Sequence, residues 1–384
     1  MTELFALPTL DAADHEVAED VHRMRRELAS ALRAPQRWAG GLRRTMLARA
    51  IQGSNSIEGY VVSVDDAVAA VDEEEPLSAE ERTWAEIVGY RQTLNYVLRM
   101  ANDPHFHFDT SAIRSMHFML LNHDLSKDPG QYRTRSIYVH DDKLGANVYE
   151  GPDAENVPEL MSTFARSLDE QTACDPLTAA AMAHLNLVMI HPFRDGNGRM
   201  ARALQTLVLA RTSIVEPAFA SIEEWLGHNT DDYYRILALT GAGHWNPHRD
   251  AHWWIKFNLR AHHMQAQTLR RRIRNAERIW LRLDDIVGKH ALPERVTDVL
   301  YEAVLGYRVR RSGHLRRAEL EGRTATRDFA RMVQFNLLTA VGETRGRHYV
   351  AGPVLDELRA ELRADRSMLD DPYPWMPAAL RAPR

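Results

Sequence analysis

The chain is nearly devoid of cysteine: Cys174 is the only one in 384 residues. A single thiol excludes an intrachain disulfide and any cysteine-built metal centre. Long apolar runs are also missing, since no stretch approaches the roughly 18 uninterrupted apolar residues of a membrane span. Residues 1–19 are acidic and lack a basic flank followed by an apolar block, so no secretory signal is expected there. Neither Gly-x4-Gly-Lys-Ser/Thr nor His-Glu-x2-His occurs, which excludes a P-loop and a zincin. Repeats of 20–50 residues and low-complexity blocks are absent. With reduced cysteine and no membrane partner, the expected location is cytoplasmic. The net charge of −5 argues against wholesale coating of nucleic acid. Residues 306–350 depart from that average, with ten arginines against four acids.

What the sequence does contain is helical periodicity over most of its length. Leu42, Met46, Ala50 and Ile57 share a face of a helix that Gly59 ends. Helices are expected over 78–100, 110–121, 157–170 and 176–190, the last almost wholly apolar and therefore central. Between them, Ser136 to His140 and Ala146 to Tyr149 alternate like short strands, suggesting a hairpin around 141–145. Further helices are expected within 221–239 and over 254–287, the latter arginine-rich and read as a connector. No alternation of strands and helices appears, so a doubly wound sheet is not expected.

One run concentrates chemistry: His191-Pro192-Phe193-Arg194-Asp195-Gly196-Asn197-Gly198-Arg199-Met200-Ala201-Arg202. Gly196-Asn197-Gly198 can adopt positive φ, letting successive N–H groups converge into an anion-binding nest. The nest opens a helix whose N-terminal donors and dipole favour phosphate. Arg199 and Arg202, three apart, share a face and can reach one polyphosphate. Asp195 would repel phosphate unless Mg²⁺ lay between them. His191 is the group able to accept a proton near neutrality. Each feature alone is a common structural motif; their conjunction within twelve residues is rare.

The run resembles the Fic-domain signature, His-x-Phe-x-(Asp/Glu)-Gly-Asn-Gly-Arg-x2-Arg, at every specified position. The resemblance extends over roughly 42–259, including Leu42 to Gly59, Pro129 to Arg133 and Val157 to Met161. It implies a mainly α, Fic-type helical core with a small β-hairpin flap. It also implies transfer of AMP from ATP to a Ser, Thr or Tyr hydroxyl of a protein. In that scheme His191 is the base and Asp195 the Mg²⁺ ligand. Gly196, Asn197, Gly198 and Arg199 form the anion hole, while Arg202 meets the γ-phosphate. Tyr233 and Tyr234 resemble the paired tyrosines near the nucleotide base. The flap, 136–149, would align a target protein by β-augmentation, and self-modification and a homodimer are compatible with the scheme.

Ser54-x3-Glu58-Gly59 matches the family's inhibitory pattern. A carboxylate in a helix's last turn opposes the dipole, so Glu58 calls for a cationic partner. The resemblance supplies Arg202, implying low basal activity. The same glutamate could instead orient water for removal of AMP, and transfer of another phosphate-containing group is a further alternative. Towards the C-terminus, helices are expected over 292–305, 315–321 and 324–336, with Thr324 as N-cap of the third. Two strands follow within 341–350. This resembles a winged helix-turn-helix, with Arg323, Arg327 and Arg331 placed for DNA contacts. A DNA-binding regulator with a secondary Fic core is therefore the rival reading, and a protein-interaction module the bland one. The implied organisation is an N-terminal helical segment (1–100), a catalytic core (101–261), a helical connector (262–291), a winged-helix-like domain (292–352) and a C-terminal helix with an irregular tail (353–384).

Overall fold

The computed structural model describes residues 3–33, 36–141, 145–170, 174–212, 216–343, 346–364 and 368–382. Among these, no helix is long and apolar enough to cross a membrane. The centre of the molecule is a pair of consecutive helices, α7 (Pro176–Ile190) and α8 (Asn197–Ala210). Helix α7 begins with Pro176 after Asp175, whose carboxylate caps the Leu177 and Thr178 N–H groups. Nearly every α7 side chain is buried, as its all-round apolar composition requires. Around this pair lie α2 (Ala39–Ile57), α4 (Glu81–Met100), α5 (Thr110–Leu121), α6 (Val157–Glu170), α9 (Glu223–His228) and α10 (Thr230–Gly241). The expected helix within 221–239 is thus two helices, α9 and α10, meeting at Asn229.

Two helices fall where the sequence reading placed none: α1 (Ala12–Arg33) and α3 (Val64–Val71). Helix α1 buries Val17, Val21, Met24 and Leu28 against α11 (His252–Lys289). That helix runs unbroken through the expected core–connector boundary at 261/262. Its second half buries Ile273, Ala276, Trp280, Leu283 and Val287, so it serves as a packed wall as well as a link.

The flap is a hairpin of β1 (Tyr138–Asp141) and β2 (Ala146–Glu150), antiparallel, with an irregularity at Val139/His140. Ser136 and Ile137, expected in the first strand, precede it. The expected turn residues 142–144 lie outside the described residues. A two-residue strand β3 (Gly243–His244) pairs parallel to β2. Tyr149 pins the hairpin inward by donating its hydroxyl to Met189 O at 2.8 Å.

C-terminal to α11 come α12 (Thr297–Leu305), α13 (Arg311–Arg317), α14 (Gly322–Gln334) and the antiparallel pair β4 (Leu338–Val341) and β5 (His348–Ala351). The expected helix at 315–321 is displaced to α13, because Glu319 takes a positive φ of 49° and turns the chain. Thr324 is not the N-cap of the next helix: the extended Glu321 holds that position, and Gly322, Arg323 and Thr324 form the first turn. Short helices α15 (Asp356–Ala364) and α16 (Met376–Arg381) follow, so a second helix falls within the tail expected to be irregular.

Much of the arginine excess of 306–350 is spent within the molecule. Arg308 meets Asp65 at 3.4 Å, Arg316 meets Glu74 at 2.9 Å, and Arg317 meets Asp72 at 2.5 Å and Glu302 at 2.9 Å. Arg331 donates to the His290 and Ala291 carbonyls. Arg323 and Arg327 stay exposed on α14, and Arg345 lies outside the described residues.

Candidate active site

His191 is the C-cap of α7 and takes a left-handed backbone, φ 51°. That turn swings the chain from α7 into the loop 192–196. Its Nδ1 lies 3.1 Å from Val188 O. A carbonyl only accepts, so Nδ1 carries the proton and Nε2 presents a lone pair. Burial lowers the His191 pKa to about 4; the ring is neutral, and thus a base, at pH 7.

The loop is held by contacts the motif alone does not reveal. Asn197 accepts from Phe193 N at 2.9 Å and donates to Phe193 O at 2.8 Å. Its side chain therefore clasps the loop, and only its backbone is available to an anion. His117 Nδ1 accepts from Gly130 N at 2.8 Å, so its Nε2 donates to Asp195 O at 3.0 Å. Its ring stacks on Phe193 with centroids 3.8 Å apart. Arg133 ties flap base to loop, donating to His191 O and Arg135 O at 2.8 and 2.9 Å. Gly196, at φ 76°, caps α8 without a side-chain contact. The Asn197, Gly198 and Arg199 N–H groups are then first-turn donors lacking intrahelical acceptors, the makings of an anion site.

The two arginines diverge in their partners. Arg202 is fully buried. Its Nε donates to Ser54 Oγ at 2.8 Å and one Nη to Ser54 O at 3.1 Å and Glu58 Oε1 at 2.5 Å. Glu58 follows the last residue of α2, and Gly59, at φ 83°, turns the chain away. The Glu58 carboxylate also overlies the nest: a Cβ on Gly198 would stand 2.7 Å from Glu58 Oε1. Ser54, Glu58 and Arg202 are thus brought together.

Arg199 instead pairs with Glu86 of α4, both buried. Glu86 also accepts from Tyr60 Oη at 2.8 Å and from Lys127 Nζ at 2.9 Å. Lys127 bridges onward to Asp195 Oδ2 at 2.8 Å. Burial alone would raise the Asp195 pKa, but Lys127 holds it below the ordinary carboxylate value. Glu86, Lys127 and His117 were missed by sequence reasoning. Each is a lone charged or polar residue far from the motif, and no local signal marks it.

Tyr233 is buried, hydrogen-bonded to His184 Nε2 at 2.9 Å, with the Arg202 guanidinium 5.9 Å over its ring. Tyr234 is 45% exposed and donates to Ile57 O at 3.0 Å, beside Glu58. Tyr233 therefore supports Arg202 from the core, while Tyr234 lines the surface next to the glutamate.

Among the described residues, two places could attract a divalent cation. Asp195, half-exposed beside the nest, suits Mg²⁺, which keeps most of its waters and takes one or two carboxylates plus phosphate oxygens. Asp11, Asp14 and His252 also bring ligand atoms together. There, however, Lys256 Nζ already lies 2.6 Å from Asp14 and 2.7 Å from Asp11, so an ammonium supplies the positive charge.

Residues 107–209 match the Fic/DOC family. That segment is similar to a Fic domain. Among curated proteins, it is 27% identical over 247 residues to protein adenylyltransferase fic-1 of Caenorhabditis briggsae, covering 62% of this chain and 45% of that one. It is 25% identical over 245 residues to protein adenylyltransferase Fic of Nematostella vectensis, covering 63% and 54%. The chain thus spans about half the length of the curated relatives it matches. Among solved structures, a Fic family protein from Desulfovibrio desulfuricans superposes with a TM-score of 0.57 at 21% identity, covering 90% of this chain and 98% of the other. That likeness is one of fold.

Proposed function

We propose that the chain is a protein adenylyltransferase that moves AMP from ATP to a Ser, Thr or Tyr hydroxyl of a protein. The observation that carries this reading is the assembly of three parts at one point. A neutral His191 with Nε2 free stands at the mouth of an N–H nest, and the nest leads to a buried arginine. His191 takes the hydroxyl proton as the oxygen attacks the α-phosphorus. The bond from the α-phosphorus to its bridging oxygen breaks, and pyrophosphate leaves with that electron pair. The 197–199 N–H groups and Arg199 steady the charge on the phosphates, and Arg202 receives the γ-phosphate. Mg²⁺ arriving with the nucleotide would be held by Asp195 and would neutralise phosphate charge. The exposed strand β1 offers an edge to which a target segment adds, and the chain itself is among its targets.

Glu58 is the brake in this reading. Its carboxylate lies on Arg202 and above Gly198, where it repels a γ-phosphate and takes its cation. Resting activity is low in consequence, and the protein acts in the cytoplasm. Intact-mass measurement of the Glu58→Gly variant with ATP and Mg²⁺ tests both claims. An adenylate-sized gain that His191→Ala abolishes is expected. A phosphate-sized gain would redirect the chemistry to phosphoryl transfer, and no gain with an added hydroxyl-rich protein acceptor would end the proposal.

A further inference from the structure

Lys127 lies outside the signature, on the short turn Leu125–Lys127 after α5. The turn is held from both sides: Asp124 caps it through Ser126 N, and Arg194 donates to Ser126 O at 2.7 Å. From there the lysine reaches into the site between two carboxylates, with only 16% of its side chain exposed. We propose that Lys127 is a nucleotide-site residue that occupies the cation position of Asp195 in the resting protein. A divalent cation arriving with the nucleotide must displace it from there. The inference rests on the adenylyltransferase reading for the identity of the nucleotide, but its geometry is independent of that reading.

The oxygens of Asp195 decide the matter. Oδ1 accepts the Gly196 N–H at 2.6 Å, a bond internal to the loop. Oδ2 faces the Lys127 ammonium at 2.8 Å. A metal ligated by Oδ2 at about 2.1 Å would stand within a few ångströms of that ammonium, and two cations so close repel. Lys127 has somewhere to go. Glu86, buried and already paired with Arg199 and Tyr60, keeps its hold on Nζ at 2.9 Å. His123 Nε2 lies 3.4 Å from the same carboxylate. Displacement therefore breaks one ion pair while the ammonium stays neutralised by the other. Glu86 is the positioning residue, since it fixes both Arg199 and Lys127 relative to Asp195.

The prediction is a competition between a fixed lysine and a mobile metal. Mn²⁺ alone, followed by water-proton relaxation on the full chain, serves as the probe. Removing the competitor in Lys127→Met should tighten Mn²⁺ binding about fivefold, the scale of one partly exposed ion pair. The gain should vanish when Asp195→Asn is added, and Lys127→Arg, which keeps a cation there, should stay near wild type. Unchanged or weaker Mn²⁺ binding in Lys127→Met would overturn the proposal. So would a gain that persists without the Asp195 carboxylate. Matching thermal unfolding of the Met and Arg variants guards against misfolding. ATP binding by Glu58→Gly in Mg²⁺, measured by calorimetry alongside, separates the two readings. Its failure counts against the adenylyltransferase, whereas the Mn²⁺ cycle judges Lys127.

Discussion

Replacing Glu58 by glutamine removes a charge while keeping an acceptor of the same shape, which makes it the sharpest perturbation of the site. Arg202 is fully buried, and Glu58 is 26% exposed. Breaking a fully enclosed ion pair by losing one partner costs about 3–5 kcal/mol. Here water reaches the glutamate, and Ser54 keeps two acceptors on the guanidinium, so a loss of about 2 kcal/mol is the expected scale. Glu58→Gln should therefore melt earlier than wild type without nucleotide.

The same quantity reappears with the opposite sign when ATP binds. On the proposed reading, a γ-phosphate in wild type must displace the carboxylate from Arg202 and also meets its charge above Gly198. In Glu58→Gln the charge is gone and a neutral amide holds Arg202 less tightly, and about 2 kcal/mol corresponds to about 30-fold tighter ATP binding in Mg²⁺. Calorimetry reads the affinity, and radiolabelled ATP reads transfer to the chain or an acceptor. The two effects are coupled: the variant loses stability alone and recovers more of it with ATP. A glutamine variant with wild-type melting and wild-type ATP affinity would refute the reasoning, because the pair would then guard nothing.

Three further outcomes follow from other residues. Since burial holds His191 near pKa 4, the acid limb of the Glu58→Gly rate profile should fall well below pH 6.5; a limb centred at 6.5 would mean a solvated imidazole. His117 and His184 are also buried neutral, with pKa values lowered to about 4 and about 3. The unfolded chain binds their protons below about pH 6.5 and the folded one does not, so stability should fall with pH by up to about 1.4 kcal/mol per unit for each. Urea unfolding giving equal stability at pH 7 and pH 5 would contradict this. Finally, DNA binding by the C-terminal region should be weak, with a shallow salt dependence, because Arg308, Arg316 and Arg317 already face acids; filter retention with a steep inverse salt slope would reverse that expectation.

How much of this was legible depends on sequence separation. The run 191–202 is contiguous, so its loop, nest and helix start could be read together. Ser54 and Glu58 were reachable because they form a short pattern at a helix end, although their partner lies 144 or more residues away. Glu86 and Lys127 were not reachable. The Arg199–Glu86 contact spans 113 residues, and a single glutamate on an amphipathic helix looks like any solvated charge. Helix α1 is a different case, since Val17, Val21, Met24 and Leu28 recur at helical spacing and an acidic reading of the N-terminus obscured them. The displaced helix α13 turned on Glu319, a non-glycine residue at positive φ, and sequence gives no warning of that.

Helix α2 joins what the sequence reading treated as separate domains. At its end it carries Ser54 and leads into Glu58. Nearer its start, Arg44 enters a buried group with Glu302 of α12, Asp72 and Arg317. Arg49 bonds Glu224 at 3.0 Å and Tyr307 at 3.2 Å. Two arginines and two acids balance in the Arg44 group; burial and then the neighbouring Arg317 lower the Arg44 pKa, and Asp72 and Asp298 act against that. Glu302→Gln would leave Asp72 as the carboxylate in direct contact with both Arg44 and Arg317. With side-chain exposures of 15% and 24% for the arginines, the loss should be about 2–3 kcal/mol, just under the fully enclosed case. Urea unfolding measures it, and Arg44→Met in the same chain should restore part by removing the excess cation. If Glu302→Gln unfolds like wild type, the C-terminal helices rest on α2 through apolar contact such as Tyr301 against Gly41, and the ion group is incidental.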